Sequence, residues 1–185
     1  MFEIYRYTDS DQSLWDDFVP NANNGTLFHL RSFLSYHPYD RFVDHSLLVN
    51  KKGKTFSVFP AAEQKINGNR YLVSHPGSSV GSFVVNENLS IADSIDLVKS
   101  LISYSKKLKF DGIRITLPPN LYQRRLSNYM DFSFLKNNFN YLKREITSIL
   151  YLEKSLELTI QKFRSSHVRS IKKAREKGVK IRRSK

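Results

Sequence analysis

The sequence predicts a mixed α/β domain, a largely antiparallel sheet flanked by helices, with a basic amphipathic helix after it. Three observations carry that prediction. Residues 46–74 read as a β-meander punctuated by two tight-turn signals. A capped amphipathic helix spans 90–109. Helical patterns also stand between the meander and the strands on either side of it, which favours a mixed sheet over a doubly wound one.

Residues 2–7 alternate in strand fashion, and the Asp9, Ser10, Asp11 cluster opens a short helix through Leu14, Trp15 and Phe18. Residues 20–25 form a turn-rich break. Leu27, Leu30, Phe33 and Leu34 then recur at helical spacing. The meander follows: an apolar strand at 46–50, a turn at 51–54, an alternating strand at 55–59, the Asn67-Gly68 turn and a return over 71–74. Phe83 to Val85 is strand-like. Ser90 with Asp93 three positions on fits a capping box. Ile91, Ile95, Val98, Leu101, Ile102 and Leu108 form one stripe behind it, and Lys106, Lys107 and Lys109 suit the negative end of the helix dipole. Residues 110–117 read as turn and strand, stopped by Pro118 and Pro119. A broken helix over 121–135 and strands at 139–142 and 146–152 complete the order β-α-α-β-β-β-α-β-α-β-β.

With 40% hydrophobic residues, 13 Phe and 10 Tyr, the 185-residue chain has material for a real core; seven Gly and six Pro are too few for a low-complexity chain. No cysteine means no disulfide and no Cys-based zinc or thiol chemistry. No signal or transit pattern opens the chain and no apolar run approaches the roughly 20 residues that span a bilayer, so a cytoplasmic location is expected. The formal charge of +13 is concentrated at one end: residues 161–185 hold 11 of the 30 Lys and Arg against a single acid, Glu176. That end is not a bare charge run. Leu156, Ile160, Phe163, His167, Ile171 and Ala174 recur every three or four residues, with Lys162, Arg169, Lys173 and Lys177 roughly opposite and Gly178 placed as a helix stop. The expected division is a domain over 1–153, a basic linker helix over 154–178 and a further strand begun within 179–185.

The element order resembles the GNAT acyltransferase fold. Two segments, Gly25-Thr-Leu-Phe-His-Leu-Arg-Ser-Phe-Leu-Ser-Tyr36 and Ser74-His-Pro-Gly-Ser-Ser-Val-Gly81, resemble signature stretches of the FemAB-like GNAT superfamily. Residues 163–179 are similar to that family's linker between two GNAT-like halves. The resemblance implies the N-terminal half of an enzyme that moves an aminoacyl group from tRNA to a peptidoglycan precursor, or acylates amino sugars and related amines from acyl-CoA. It further implies an anionic, nucleotide- or lipid-linked amine acceptor held by this half, a second half in cis, and acyl-CoA or aminoacyl-tRNA as donor of the full protein. The chain departs from the family at Val80-Gly81-Ser82, where an aromatic residue and paired glycines are usual.

The loop from His75 to Ser82 stands where a GNAT fold places its pyrophosphate-binding loop, which offers backbone amides and a helix N-terminus to phosphate. Gly77 and Gly81 lack the spacing of the acyl-CoA motif, and Phe83 to Val85 separate them from the helix. No cofactor is therefore expected on this half. His75, Pro76, Gly77, Ser78, Ser79 and Gly81, with His29, Arg31 and Tyr36, are the candidate acceptor-binding residues; the alternative for the loop is a structural Pro-Gly turn. Arg31 and Arg41 either hold phosphate or carboxylate or belong to a solvated helix face. Gly77-Ser-Ser-Val-Gly81 also fits Gly-x-Ser-x-Gly, but a strand pattern follows where a nucleophile elbow needs a helix. The His37, Asp40, Asp44, His45 group matches no zinc spacing, and no metal is expected. Glu63, Asp111 and Glu145 are all candidate catalytic carboxylates, with nothing to select among them. The alternative to a transferase is a non-catalytic module that binds nucleic acid through Lys162, Arg169, Lys173 and Lys177.

Overall fold

The computed structural model describes residues 2–38 and 40–183, and the chain divides into two compact units, Met1–Lys143 and Arg144–Lys185.

The first unit is built on one long bent hairpin. Its outgoing arm is β2 (Val43–Asp44) and β3 (Leu47–Lys51); its returning arm is β4 (Lys54–Phe59) and β5 (Ala62–Ile66). Lys52 and Gly53, both at positive φ, make the two-residue turn between the arms. The bend falls where His45 and Ser46 face Pro60 and Ala61. Proline removes a ladder donor there, and the His45 amide and the Ser46 hydroxyl bond the Ala61 backbone instead. Two four-stranded sheets result. The first has order β1-β3-β4-β7, with β1 (Phe2–Arg6) and β7 (Val84–Val85) as its edges, and is antiparallel throughout. The second has order β2-β5-β6-β8, where β6 (Asn69–Val73) returns through Asn67-Gly68 and β8 (Gly112–Arg114) joins it in parallel.

The two-residue period of the strands separates two cores. Leu47, Val49 and Phe59 face α3 (Ile91–Lys107), packing with Leu97, Val98 and Leu101. Leu48 and Val58 face the other way, onto Trp15, Val19 and Ala22 of α1 (Gln12–Asn21) and the residue after it. Gly25 must lack a side chain, because a Cβ there would stand 1.9 Å from the Val19 carbonyl oxygen.

Local chemistry alters several expected elements. The helix expected from Leu27 to Leu34 is interrupted. His29 turns back to the Thr26 amide and closes a 3-10 turn, Leu27–His29, so Leu30 is extended and only α2 (Arg31–Leu34) follows. The Ser90 hydroxyl caps α3 as expected, accepting from the Asp93 amide at 3.1 Å, but the Asp93 carboxylate accepts from Lys51 at 2.5 Å. A strand unread in the sequence, β5, occupies 62–66.

The strands expected at 139–142 and 146–152 do not form. Phe139 belongs instead to the stop of α4 (Tyr129–Lys136). Asn138 takes a left-handed φ of 64, its amide bonds the Leu135 carbonyl, and the Phe139 amide reaches the Phe134 carbonyl at 3.0 Å. The Phe134 and Phe139 rings meet at 5.1 Å, the apolar contact that completes such a cap. Leu142, Ile146, Leu150 and Leu152 are exposed, so the apolar alternation there buries no face.

In the second unit the single expected helix is two, α5 (Leu156–Gln161) and α6 (Ser165–Glu176). The break at Arg164 precedes Ser165 and Ser166, residues whose side chains compete for backbone groups and favour helix starts over interiors. Gly178 ends α6 at φ 76, and the Val179 amide bonds the Ala174 carbonyl at 3.1 Å. Residues 179–183 take no strand form, and Ser184 and Lys185 of the expected strand lie outside the described residues. Among the described residues no helix is long and apolar enough to cross a membrane.

Candidate functional site

The two segments singled out in the sequence, some fifty residues apart, are stitched to each other. His29 is fully buried; its Nδ1 accepts from the Thr26 amide, so Nε2 carries the proton and donates to the Gly81 carbonyl at 3.0 Å. His37 Nε2 donates to the Gly77 carbonyl at 2.8 Å while Nδ1 faces Arg41 at 3.5 Å. Burial holds His29 below the ordinary histidine range, which keeps it in this neutral form. Both glycines serve close approach. A Cβ on Gly77 would stand 2.2 Å from His37 Nε2, and one on Gly81 would stand 2.9 Å from the Ser74 hydroxyl.

His75 is buried between them. Its ring lies 6.3 Å from His37 and 5.3 Å from Phe42, and its Nδ1 accepts from the Gly77 amide at 3.3 Å. Burial first, with the charge on Arg31 and the proximity of His37 adding to it, lowers its pKa to about 4. Tyr36, 67% exposed, covers His37 at 4.1 Å between ring centres, and Arg41 stacks on Phe42 at 5.2 Å. Ser79 is exposed at the loop tip and Pro76 and Ser78 are half-buried; the Ser78 hydroxyl donates to the Val80 carbonyl at 2.8 Å. The outcome is a supported loop rimmed by Tyr36 and Arg41, able to offer an aromatic face and a guanidinium to a ligand.

Arg31 is not free to join them. Its guanidinium pairs with Asp44, donates to the Ser46 hydroxyl at 3.0 Å and stacks 3.8 Å above the Tyr7 ring. Burial alone would lift the Asp44 carboxyl, but Arg31 and Ser46 together hold it below the usual carboxylate range. Arg31 is thus a fixed part of the sheet bend that carries the loop.

Three of the loop's own amides are consumed. Those of Gly77, Ser78 and Gly81 go to His75 Nδ1, the His75 carbonyl and the Thr116 carbonyl. The Ser74 hydroxyl accepts from the Thr116 amide at 2.9 Å, so loop and side chain together extend the β6–β8 ladder. At the start of α3 the Asp93 carboxylate already occupies the region where an anion would be stabilised.

Among the candidate carboxylates, Glu63 is joined to a histidine. Its Oε1 accepts from His45 Nδ1 at 2.8 Å, and Arg70 holds Oε2 at 2.8 Å. The Tyr104 hydroxyl completes the chain, 2.9 Å from His45 Nε2. The hydrogen bonds from Arg70 pull Glu63 below its ordinary value, while burial lowers His45. Asp111 instead accepts from the Arg70 amide at 2.7 Å. His37, Asp44 and His45 are thus each committed to separate partners, and among the described residues no group of three acidic or histidine side chains stands ready for a metal ion.

The four basic-face residues lie in the second unit. Lys162 pairs with Glu153, whereas Arg169 and Lys173 on α6 and Lys177 at its cap are exposed. No residue of α6 is buried, and along the expected stripe Phe163, Ile171 and Ala174 are half-buried while His167 is exposed.

Sequence reasoning missed Ser82. It is 2% exposed, takes a left-handed φ of 78 and lines a cavity of about 190 Å³. The departure from the family pattern at Val80-Gly81-Ser82 is the one sequence signal that falls on it.

No protein-family model matches the sequence, and neither does any curated protein. Solved structures do match over most of the chain. A ribosomal-protein-alanine N-acetyltransferase from Brucella melitensis biovar Abortus 2308 aligns with a TM-score of 0.54 at 9% identity, covering 80% of this chain and 99% of that one. A GNAT family acetyltransferase from Staphylococcus aureus subsp. aureus USA300_TCH1516 aligns at 0.50 and 12% identity, over 80% and 98%. A transcriptional regulator from Bacillus halodurans C-125 aligns at 0.51 and 10% identity, over 80% and 99%. With its antiparallel sheets, its one parallel pair and its flanking helices, the chain has the GNAT acetyltransferase fold.

Proposed function

We propose that this chain is an acyl- or aminoacyl-transferase-like domain of FemAB-like type that holds an amine acceptor on the loop from His75 to Gly81. The observation that carries the reading is the double stitch of His29 to Gly81 and His37 to Gly77, which converts two distant segments into one rigid platform rimmed by Tyr36 and Arg41. Preorganised loops of this kind reduce the ordering cost of binding. A nucleotide- or lipid-linked precursor of cell wall or surface polysaccharide fits an arginine and an aromatic face.

The same geometry argues that the donor is served elsewhere. A phosphate-binding loop needs free amides, and here Gly77, Ser78 and Gly81 have spent theirs. A second GNAT-like half in cis, beyond the basic linker, would supply the site for acyl-CoA or aminoacyl-tRNA. The chain alone is then expected to bind UDP-glucosamine but not to acetylate it from acetyl-CoA. Turnover by the isolated chain at about 1 per second or faster, an ordinary enzyme rate, would contradict the proposal.

A second reading, a nucleic-acid-binding module, draws on one observation: α6 buries none of its residues and presents Arg169 and Lys173 openly. Under the first reading the same face is a contact for tRNA or for a phosphate-rich acceptor carrier.

A further inference from the structure

The second unit exposes charge and alkyl surface together. Residues 161–185 hold 11 Lys and Arg against one acid, and Arg169, Lys172, Lys173 and Arg175 of α6 are all exposed. Compensation on the helix is slight: Glu176 approaches Lys172 only to 4.0 Å, with both side chains largely in solvent.

Aliphatic side chains stand among these cations. Val168 is exposed, and at four residues before Lys172 and seven before Arg175 it shares their side of the helix. Past the Gly178 stop, Val179 is 60% and Ile181 97% exposed, alternating in sequence with Lys180 and Arg182. Ile171 and Ala174 of the expected stripe are half-buried. Val168, Val179 and Ile181 are therefore apolar surface left over from that packing.

The combination narrows the occupant. A second copy of the chain would bring the same positive charge and be repelled. Nucleic acid is held by cations on its phosphates and by aromatic rings on its bases, and exposed Val and Ile serve neither purpose. An anionic lipid surface answers both features. Its headgroups neutralise Lys and Arg, its acyl region receives the aliphatic side chains, and the long stems of Lys and Arg bridge the boundary between them. With 12 residues, α6 falls far short of the roughly 20 that cross a bilayer, so such a helix lies on the surface.

We infer that the second unit binds the surface of an anionic lipid bilayer through α6 and residues 179–183, with Lys172, Arg175 and Lys180 at the headgroups and Val168, Val179 and Ile181 in the interface. The inference is independent of the acceptor reading of the 75–81 loop.

The test is co-sedimentation of the full chain with vesicles of phosphatidylcholine alone and of phosphatidylcholine carrying about one-third phosphatidylglycerol. Binding to the mixed vesicles is expected to be at least about tenfold tighter, and Lys172→Gln with Arg175→Gln should weaken it about tenfold or more. Val179→Ser with Ile181→Ser should also weaken it about tenfold or more, while leaving the affinity for polyuridylate RNA unchanged. Ile181→Trp adds a reporter to a chain whose Trp15 is fully buried. Its emission should move to shorter wavelength with the mixed vesicles and stay in place with phosphatidylcholine or RNA. Equal binding to both vesicle types, no emission shift, or full vesicle affinity in the double serine variant would overturn the inference. RNA binding without vesicle binding would overturn it in favour of a nucleic-acid module. Dimerisation abolished by the serine variant, again without vesicle binding, would overturn it in favour of a second copy.

Discussion

Lys109, Asn138 and Gly178 end their helices by the same device, a left-handed residue whose amide and whose successor's amide bond back to the last turn. Only Gly178 announces this in the sequence, because glycine marks the conformation and Lys and Asn do not. That is why the α6 stop is legible while the α4 stop reads as the start of a strand at Phe139. Lys109 at φ 57 carries a strain that glycine removes. Lys109→Gly should therefore stabilise the chain by about 0.5–1 kcal/mol, seen as a higher denaturant midpoint with an unchanged slope; a lower midpoint would show that the lysine side chain contributes more than its backbone costs. Gly77 behaves oppositely. A Cβ there collides with the His37 ring at 2.2 Å, so Gly77→Ala should push the loop off its support and cost about 1–3 kcal/mol, as overpacking does.

Elements with period and punctuation are readable: the 51–54 and 67–68 turns, the Ser90 cap and the α1 start stand where the pattern puts them, whereas the stripe expected on α3 omits the fully buried Leu97 and includes Ile91, which is exposed. The stitching is not. Nothing in the spacing of His29 and Gly81 says that they meet, because contacts between distant segments depend on how the arms of the bent hairpin bring their ends together. For the same reason Arg31 looks available for phosphate in the sequence and proves committed to Asp44. At this scale the basic helix makes its own prediction. If α6 meets tRNA or another polyphosphate, replacing Arg169, Lys173 and Lys177 together by Gln should flatten the salt dependence of binding by about 2–3 in log–log slope. Lys162→Gln, removing a lysine already paired with Glu153, should change it little. An unchanged slope in the triple variant would remove α6 from the binding account.

Across the whole molecule the buried histidines couple the loop to acid stability. His29, His45 and His75 all lie below the ordinary histidine pKa in the folded state, chiefly through burial. An unfolded chain binds protons at these sites from about pH 6.5 downward, while folded His75 resists until about 4. The unfolded state thus holds more protons across that window, and stability falls as the pH drops from 6.5 to 4. His75 alone accounts for about 3 kcal/mol by this linkage, because each tenfold loss of proton affinity on folding is worth about 1.4 kcal/mol. His75→Gln should flatten the pH profile of the melting temperature in that window; an equally steep profile would mean that His75 is not the group being titrated. We propose that the platform built from His29, His37 and the 75–81 loop receives the acceptor. An amide chemical-shift titration with UDP-glucosamine tests it most directly. Saturable shifts at Tyr36, Arg41, His75 and Gly77 through Gly81, weakened about tenfold or more by Arg41→Ala, are predicted. Shifts confined to residues 162–177, or none on the loop, would contradict it.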